Sequence, residues 1–152
     1  ETKSSKRKID LEVLKEFDLL PFQFQQLQQG SDIILDNGNV LKNEAYTLTP
    51  SKSKKYAFCS DTAYLESLVE NIKEVDLLYH EATFLEKNSE LATKTKHSTA
   101  KQAAQIAKMA EVKQLMLGHF SNRYSNKEEF ITEASTVFQN VILAEDLKTF
   151  TI

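Results

Sequence analysis

Glycine, proline, cysteine and histidine are all scarce in this chain. Its 152 residues include 3 Gly, 2 Pro, 1 Cys and 3 His. Three glycines are too few for a Gly-rich phosphate cradle, a dinucleotide-binding fingerprint or a β-propeller. A single cysteine, Cys59, excludes an intramolecular disulfide and any cysteine-based zinc finger. Such cysteine usage fits a reducing compartment. Three histidines leave room for a small metal or acid–base site at most. A positive field is also missing: net charge is −3 and the pI is near 5.7. Nucleic-acid binding would therefore need a local basic patch. No run of eighteen apolar residues occurs, so no transmembrane helix is expected. The chain opens without Met, on Glu-Thr-Lys-Ser-Ser-Lys-Arg-Lys, which reads as the interior of a longer protein.

Residues 1–8 read as a solvated polar tail. Asp10 to Leu20 has the look of a short helix capped by Asp10, with Leu11, Leu14 and Phe17 at helical spacing. A Gln-rich helix should start at Pro21 and stop at Gly30. Ile33–Leu35 and Val40–Leu41 should pair across an Asn-Gly turn. Residues 43–55 read as a polar connector. Beyond 55 the texture changes: apolar runs at 56–59, 75–79, 112–117 and 141–144 alternate with helical patterns at 65–72, 86–93, 99–110 and 127–138. Phe150–Ile152 is a candidate edge strand. Continuous apolar runs alternating with helices predict parallel strands buried on both faces. The expected organisation is an accessory region over 1–55 and an α/β half-domain over 56–152.

The chemically able residues follow those runs. Asp61 follows the first, His80 and Glu81 end the second, His119 follows the third and Asp146 the fourth. Ligands in α/β sheets bind beyond the carboxyl ends of strands. Taken singly, an Asp after a strand usually caps a helix and a lone His is usually structural. Four neighbouring strand ends carrying such groups make a stronger signal. Asp and His suit zinc or manganese, but a catalytic zinc needs three protein ligands and an open position. Asp61 and His119 supply two. Glu81 and His97 can form a carboxylate–imidazole pair for general acid work. Arg123 can fork onto a phosphate.

Five ordered segments resemble the C-terminal half of the ribonuclease Z family. They are Tyr-Ala-Phe-Cys-Ser-Asp-Thr (56–62), Leu-Leu-Tyr-His-Glu-Ala-Thr-Phe (77–84), His-Ser-Thr-Ala-x-x-Ala-Ala (97–104), Leu-Gly-His-Phe-Ser-x-Arg-Tyr (117–124) and Ala-Glu-Asp-Leu (144–147). The resemblance implies a metallo-β-lactamase-like αββα sandwich. It implies a zinc-dependent endoribonuclease that removes the 3′ trailer from precursor tRNA, two zinc ions per subunit, a homodimer and a cytoplasmic location. Asp61 would bridge the two metals and His119 would bind one of them. Glu81 and His97 would protonate the leaving 3′-oxygen. Ser121 and Arg123 would hold the scissile phosphate, and Asp146 would contact the tRNA end. His80 would be structural. The family's Gly-Asp-Thr is Ser60-Asp61-Thr62 here, and its His-x-His-x-Asp-His motif does not occur. The isolated chain is accordingly expected to be inactive. Residues 9–50 would correspond to the tRNA-grasping arm. Its Gln-rich helix is uncharged, leaving Lys6, Arg7, Lys8, Lys52, Lys54 and Lys55 as phosphate contacts or as solubilising charge. Two other readings stand beside this one: a superfamily hydrolase of small phosphodiesters, and a non-catalytic dimerisation or binding fragment.

Overall fold

The computed structural model describes residues 6–15, 17–50 and 52–152. Residues 1–5 of the expected tail, Glu16 of the expected first helix and Ser51 of the expected connector lie outside the described residues. The chain divides into two compact units, Glu1–Ser53 and Lys54–Ile152.

The first unit holds β1 (Lys8–Ile9), α1 (Leu11–Leu14), α2 (Pro21–Gln28), β2 (Ile33–Ile34), β3 (Val40–Leu41), α3 (Asn43–Tyr46) and β4 (Thr47–Leu48). Leu14, Leu19, Leu27, Ile33 and Leu41 form its core. The expected hairpin is present, with Ile33 opposite Leu41 and Gly38 at φ +81° in its turn. The Gln-rich helix begins at Pro21, where a missing N–H costs nothing. Gln23 Oε1 accepts the Leu20 N–H at 2.8 Å. Two expectations change. The helix expected over Asp10–Leu20 is the single turn α1. The tail and the polar connector pair with each other as β1 and β4, Lys8 opposite Leu48. Arg7 Nε reaches Thr47 Oγ1 at 2.6 Å, which explains why this pair of short strands is held.

The second unit carries a sheet of order β5 (Tyr56–Cys59), β6 (Leu77–Glu81), β7 (Leu115–Gly118), β8 (Val141–Leu143), all parallel. Between the strands lie a 3-10 helix (Glu66–Asn71), another at Glu86–Asn88, α4 (Ser89–Thr95), α5 (Ala100–Met109) and α6 (Glu128–Ser135). One face of the sheet presents Leu78, Leu115 and Leu117 to a core shared with Ala103, Ala104, Ile106, Ala107, Phe130 and Ala134 from α5 and α6. The alanines let α5 lie close on the sheet. Thr99 starts that helix through a capping box: its Oγ1 accepts the Gln102 N–H at 3.1 Å and Gln102 Oε1 accepts the Thr99 N–H at 2.9 Å. Alternation along the strands puts Tyr56, Phe58 and Tyr79 on the opposite face, where Phe58 and Tyr79 stack at 4.5 Å.

The helix expected over 65–72 is instead a 3-10 helix. Its bonds run three residues back, as from Leu68 N–H to Leu65 O, and Leu65 is exposed. Phe150–Ile152 forms no strand. Phe150 and Ile152 share a cleft with Tyr56, Leu77 and Met116, so these side chains meet the face of the sheet rather than extending its edge.

Candidate metal and active site

The carboxyl ends of β5, β6 and β7 lie side by side, with Cys59 opposite His80 and Glu81 opposite Gly118. Asp61, Glu81 and His119 therefore converge. Two of them sit on abrupt turns. Asp61 has φ +49° and His119 φ +57°, in the left-handed region that side chains bearing a Cβ enter at a cost of about 1–2 kcal/mol. Lys96, which closes α4 just before His97, has φ +61°. Strain at such positions is common where the fold aims side chains at a site.

Glu81 is the hub. Its side chain is fully buried, and groups from three loops point at it. Oε1 accepts the Thr62 N–H at 2.8 Å and lies 2.8 Å from His97 Nδ1. Oε2 accepts the Thr83 hydroxyl at 2.7 Å and the Thr83 and Ser98 N–H groups at 3.2 Å. The Ser98 hydroxyl closes the ring by donating to Thr62 O at 2.7 Å. Buried carboxylates need such donors, because an unpaired charge in the interior is very costly.

Exposure grades outward from this hub. The His97 side chain is 24% exposed, His119 41% and Asp61 70%. The His97 and His119 rings are 5.3 Å apart, and His119 Nε2 lies 3.2 Å from Asp61 Oδ1. Asp61, His97 and His119 each offer a ligand atom, all within 4.8 Å of one another. Mixed imidazole and carboxylate donors suit a borderline divalent ion. The residues present therefore fit a metal. The sequence pointed to Asp61 and His119 as the ligand pair; the structure sets His97 beside them with its Nδ1 on Glu81.

Ser121 and Arg123 follow on the loop after β7. Ser121 N–H donates to Thr83 O at 3.1 Å, which ties the loop to the hub. Arg123 Nε donates to Ser121 Oγ at 3.2 Å, and its guanidinium lies over Phe84, 5.4 Å from the ring centre. Asp146 is exposed on the turn after β8. It is close enough that its charge joins those of Glu81 and Asp61 in raising the Tyr79 phenol, though burial is the main cause there. Burial also raises the Cys59 thiol, keeping it protonated and a poor ligand. His80 is fully buried, its Nδ1 2.8 Å from Glu81 O. Burial lowers its basicity and keeps the ring neutral. Of the basic residues set aside as phosphate contacts, Arg7 is engaged by Thr47 and Lys54 lies 3.7 Å from Asp76.

Thr83 was missed as a separate contributor, although it stands two residues beyond Glu81. Residues two apart on an extended segment share a side, and that spacing is the signal that could have found it.

Residues 7–120 match the family model of the beta-lactamase superfamily domain. The chain belongs to the beta-lactamase superfamily. Among its relatives in the superfamily, the ribonuclease Z of Cytophaga hutchinsonii is 47% identical over 134 residues, which is 88% of this chain and 43% of the relative. That of Bacteroides thetaiotaomicron is 43% identical over 131 residues, 86% of this chain and 42% of the relative. The chain thus spans well under half the length of the curated relatives it matches. The structure is similar to the metallo-beta-lactamase fold protein YhfI from Bacillus subtilis, with TM-score 0.58 and 28% identity over 61% of this chain and 38% of that one. The α/β layering expected from the sequence is that of the metallo-beta-lactamase fold. Among the described residues, no helix is long and apolar enough to cross a membrane.

Proposed function

We propose that the whole protein is a metal-dependent endoribonuclease that removes the 3′ trailer from precursor tRNA, acting as a cytoplasmic homodimer. The carrying observation is the Glu81–His97 contact at 2.8 Å beside the Asp61–His119 pair at 3.2 Å. It supports reading Glu81 and His97 as an acid–base pair beside a set of metal donors. The likeness to ribonuclease Z relatives supports the choice of RNA substrate.

Asp61 and His119 would hold zinc. The metal would supply an activated water and charge stabilisation at the phosphate. Glu81 holds the His97 ring through Nδ1 and balances its charge when both nitrogens are protonated. His97 Nε2 then gives its proton to the leaving 3′-oxygen. Arg123, steadied by Phe84 and Ser121, presents two-pronged donors suited to a phosphate. Asp146 would contact the tRNA end. Residues 9–50 correspond to the arm that grasps tRNA. The 152-residue chain without the family's remaining histidine ligands is inactive on this reading.

The test is cleavage of a precursor tRNA by the whole protein and by its Asp61→Ala variant. Loss of cleavage by about 10²–10³-fold or more is expected. Equal cutting by both would remove Asp61 from the site. Turnover of bis-p-nitrophenyl phosphate with the precursor left intact would point to a smaller phosphodiester as substrate.

A further inference from the structure

We infer that Thr83 is a positioning residue that sets which nitrogen of His119 is available to a metal. The Thr83 hydroxyl lies between two partners, 2.7 Å from Glu81 Oε2 and 2.8 Å from His119 Nδ1. A hydroxyl has one hydrogen to give. Glu81 Oε2 already accepts the N–H groups of Thr83 and Ser98 at 3.2 Å, so it acts as an acceptor. The hydroxyl hydrogen therefore goes to Oε2, and a lone pair of Oγ1 faces the imidazole. His119 Nδ1 must then carry a hydrogen and donate it to Thr83. That leaves Nε2, which faces Asp61 Oδ1, as the ligating atom.

One carboxylate thus governs two rings. Glu81 fixes His97 directly through Nδ1 and fixes His119 through the hydroxyl of Thr83. Thr83 is itself held: it is 7% exposed, and its carbonyl accepts the Ser121 N–H at 3.1 Å. The hydroxyl has little freedom to rotate to other partners. Outer groups that fix the tautomer of a ligating histidine are worth about 10–100-fold in metal affinity.

The inference rests on the reading of His119 as a metal ligand, and two measurements keep the two apart. The first is the histidine tautomer in the metal-stripped whole protein, read by long-range 15N–1H correlation at pH 9, where free imidazoles are neutral. His119 is expected as the Nδ1–H form. In Thr83→Val that preference should be lost, while Thr83→Ser should retain it and His97 should stay Nδ1–H in both, reporting an intact Glu81 contact. An Nε2–H form of His119 in the unsubstituted protein would overturn the inference whether or not the variants fold. The second measurement is zinc affinity by competition with a chelating dye. Thr83→Val should weaken binding about 10–100-fold, and Thr83→Ser should restore most of it. Unchanged affinity in Thr83→Val overturns the inference if Asp61→Ala does weaken binding. Unchanged affinity in both variants overturns the metal-site reading instead.

Discussion

In each unit a buried polar residue gathers hydrogen bonds from several segments, and the two networks end differently. In Glu1–Ser53 the hub is Asn43, 4% exposed. Its side-chain Nδ2 donates to Leu27 O near the end of α2, and its backbone carbonyl accepts the Thr47 hydroxyl at 2.8 Å. Asp32 Oδ1 accepts its N–H at 2.8 Å. The bonds close on the fold itself, tying a helix end to a hairpin and to a short strand. In Lys54–Ile152 the hub is Glu81, and its bonds lead outward to two imidazoles and toward Asp61. A hub whose partners are all consumed is structural. The contacts that start at Glu81 instead end on side chains at the surface, His119 and Asp61.

The largest expected effect is at the outward hub. Glu81→Ala strands the Thr62, Thr83 and Ser98 donors and should cost about 3–5 kcal/mol, as removing one side of a buried charged pair does. Denaturant unfolding of the whole protein measures it. Asn43→Ala should cost less, about 1–3 kcal/mol for the Leu27 carbonyl it leaves without the amide donor, since the backbone bonds of residue 43 remain. Its effect should appear in hydrogen exchange at amides of the first unit and not at β6 or β7. If Asn43→Ala costs as much as Glu81→Ala, or loosens the second unit equally, the contrast between the hubs is broken.

The smallest effect sharpens the contrast from the rim. Asp76 accepts Lys113 Nζ at 2.6 Å and the Lys55 N–H at 2.8 Å, where β5 and β6 begin. The Lys113 bond, then the Lys55 bond, holds its carboxyl down to about 2 against an ordinary 3.8. A carboxyl lowered by folding stabilises in full above pH 3.8, and that contribution fades as the pH falls toward 2. Asp76→Asn should therefore be slightly less stable than the parent at pH 7 and converge on it as the pH falls below about 2. A gap that persists in acid would mean that packing, not charge, holds this corner.

Much of the second unit is legible in the sequence. Its strands are apolar runs because α5 and α6 cover one face; the expected burial of both faces is not met, since Tyr56 and Phe58 on the other face are exposed. Asp61, Glu81 and His119 are visible because a parallel sheet delivers side chains at its carboxyl ends. What escapes is what depends on contacts between distant residues. The β1–β4 ladder is two residues long on each side and has no period to detect. The 3-10 helix at Glu66–Asn71 shares the apolar spacing of an α-helix. Phe150 and Ile152 look like strand residues yet meet the sheet face. Thr83 stands within a recognised segment, but its part depends on His119, thirty-six residues on.

Glu81 holds amide hydrogens from the loops after β5, after β6 and after α4. Those loops are consequently not independent moving parts. Any fluctuation that lifts one from the carboxylate leaves a buried charge short of a donor, which penalises the departure and favours the others leaving with it. The wall that carries Asp61, His97 and Thr83 thus behaves as a single rigid surface.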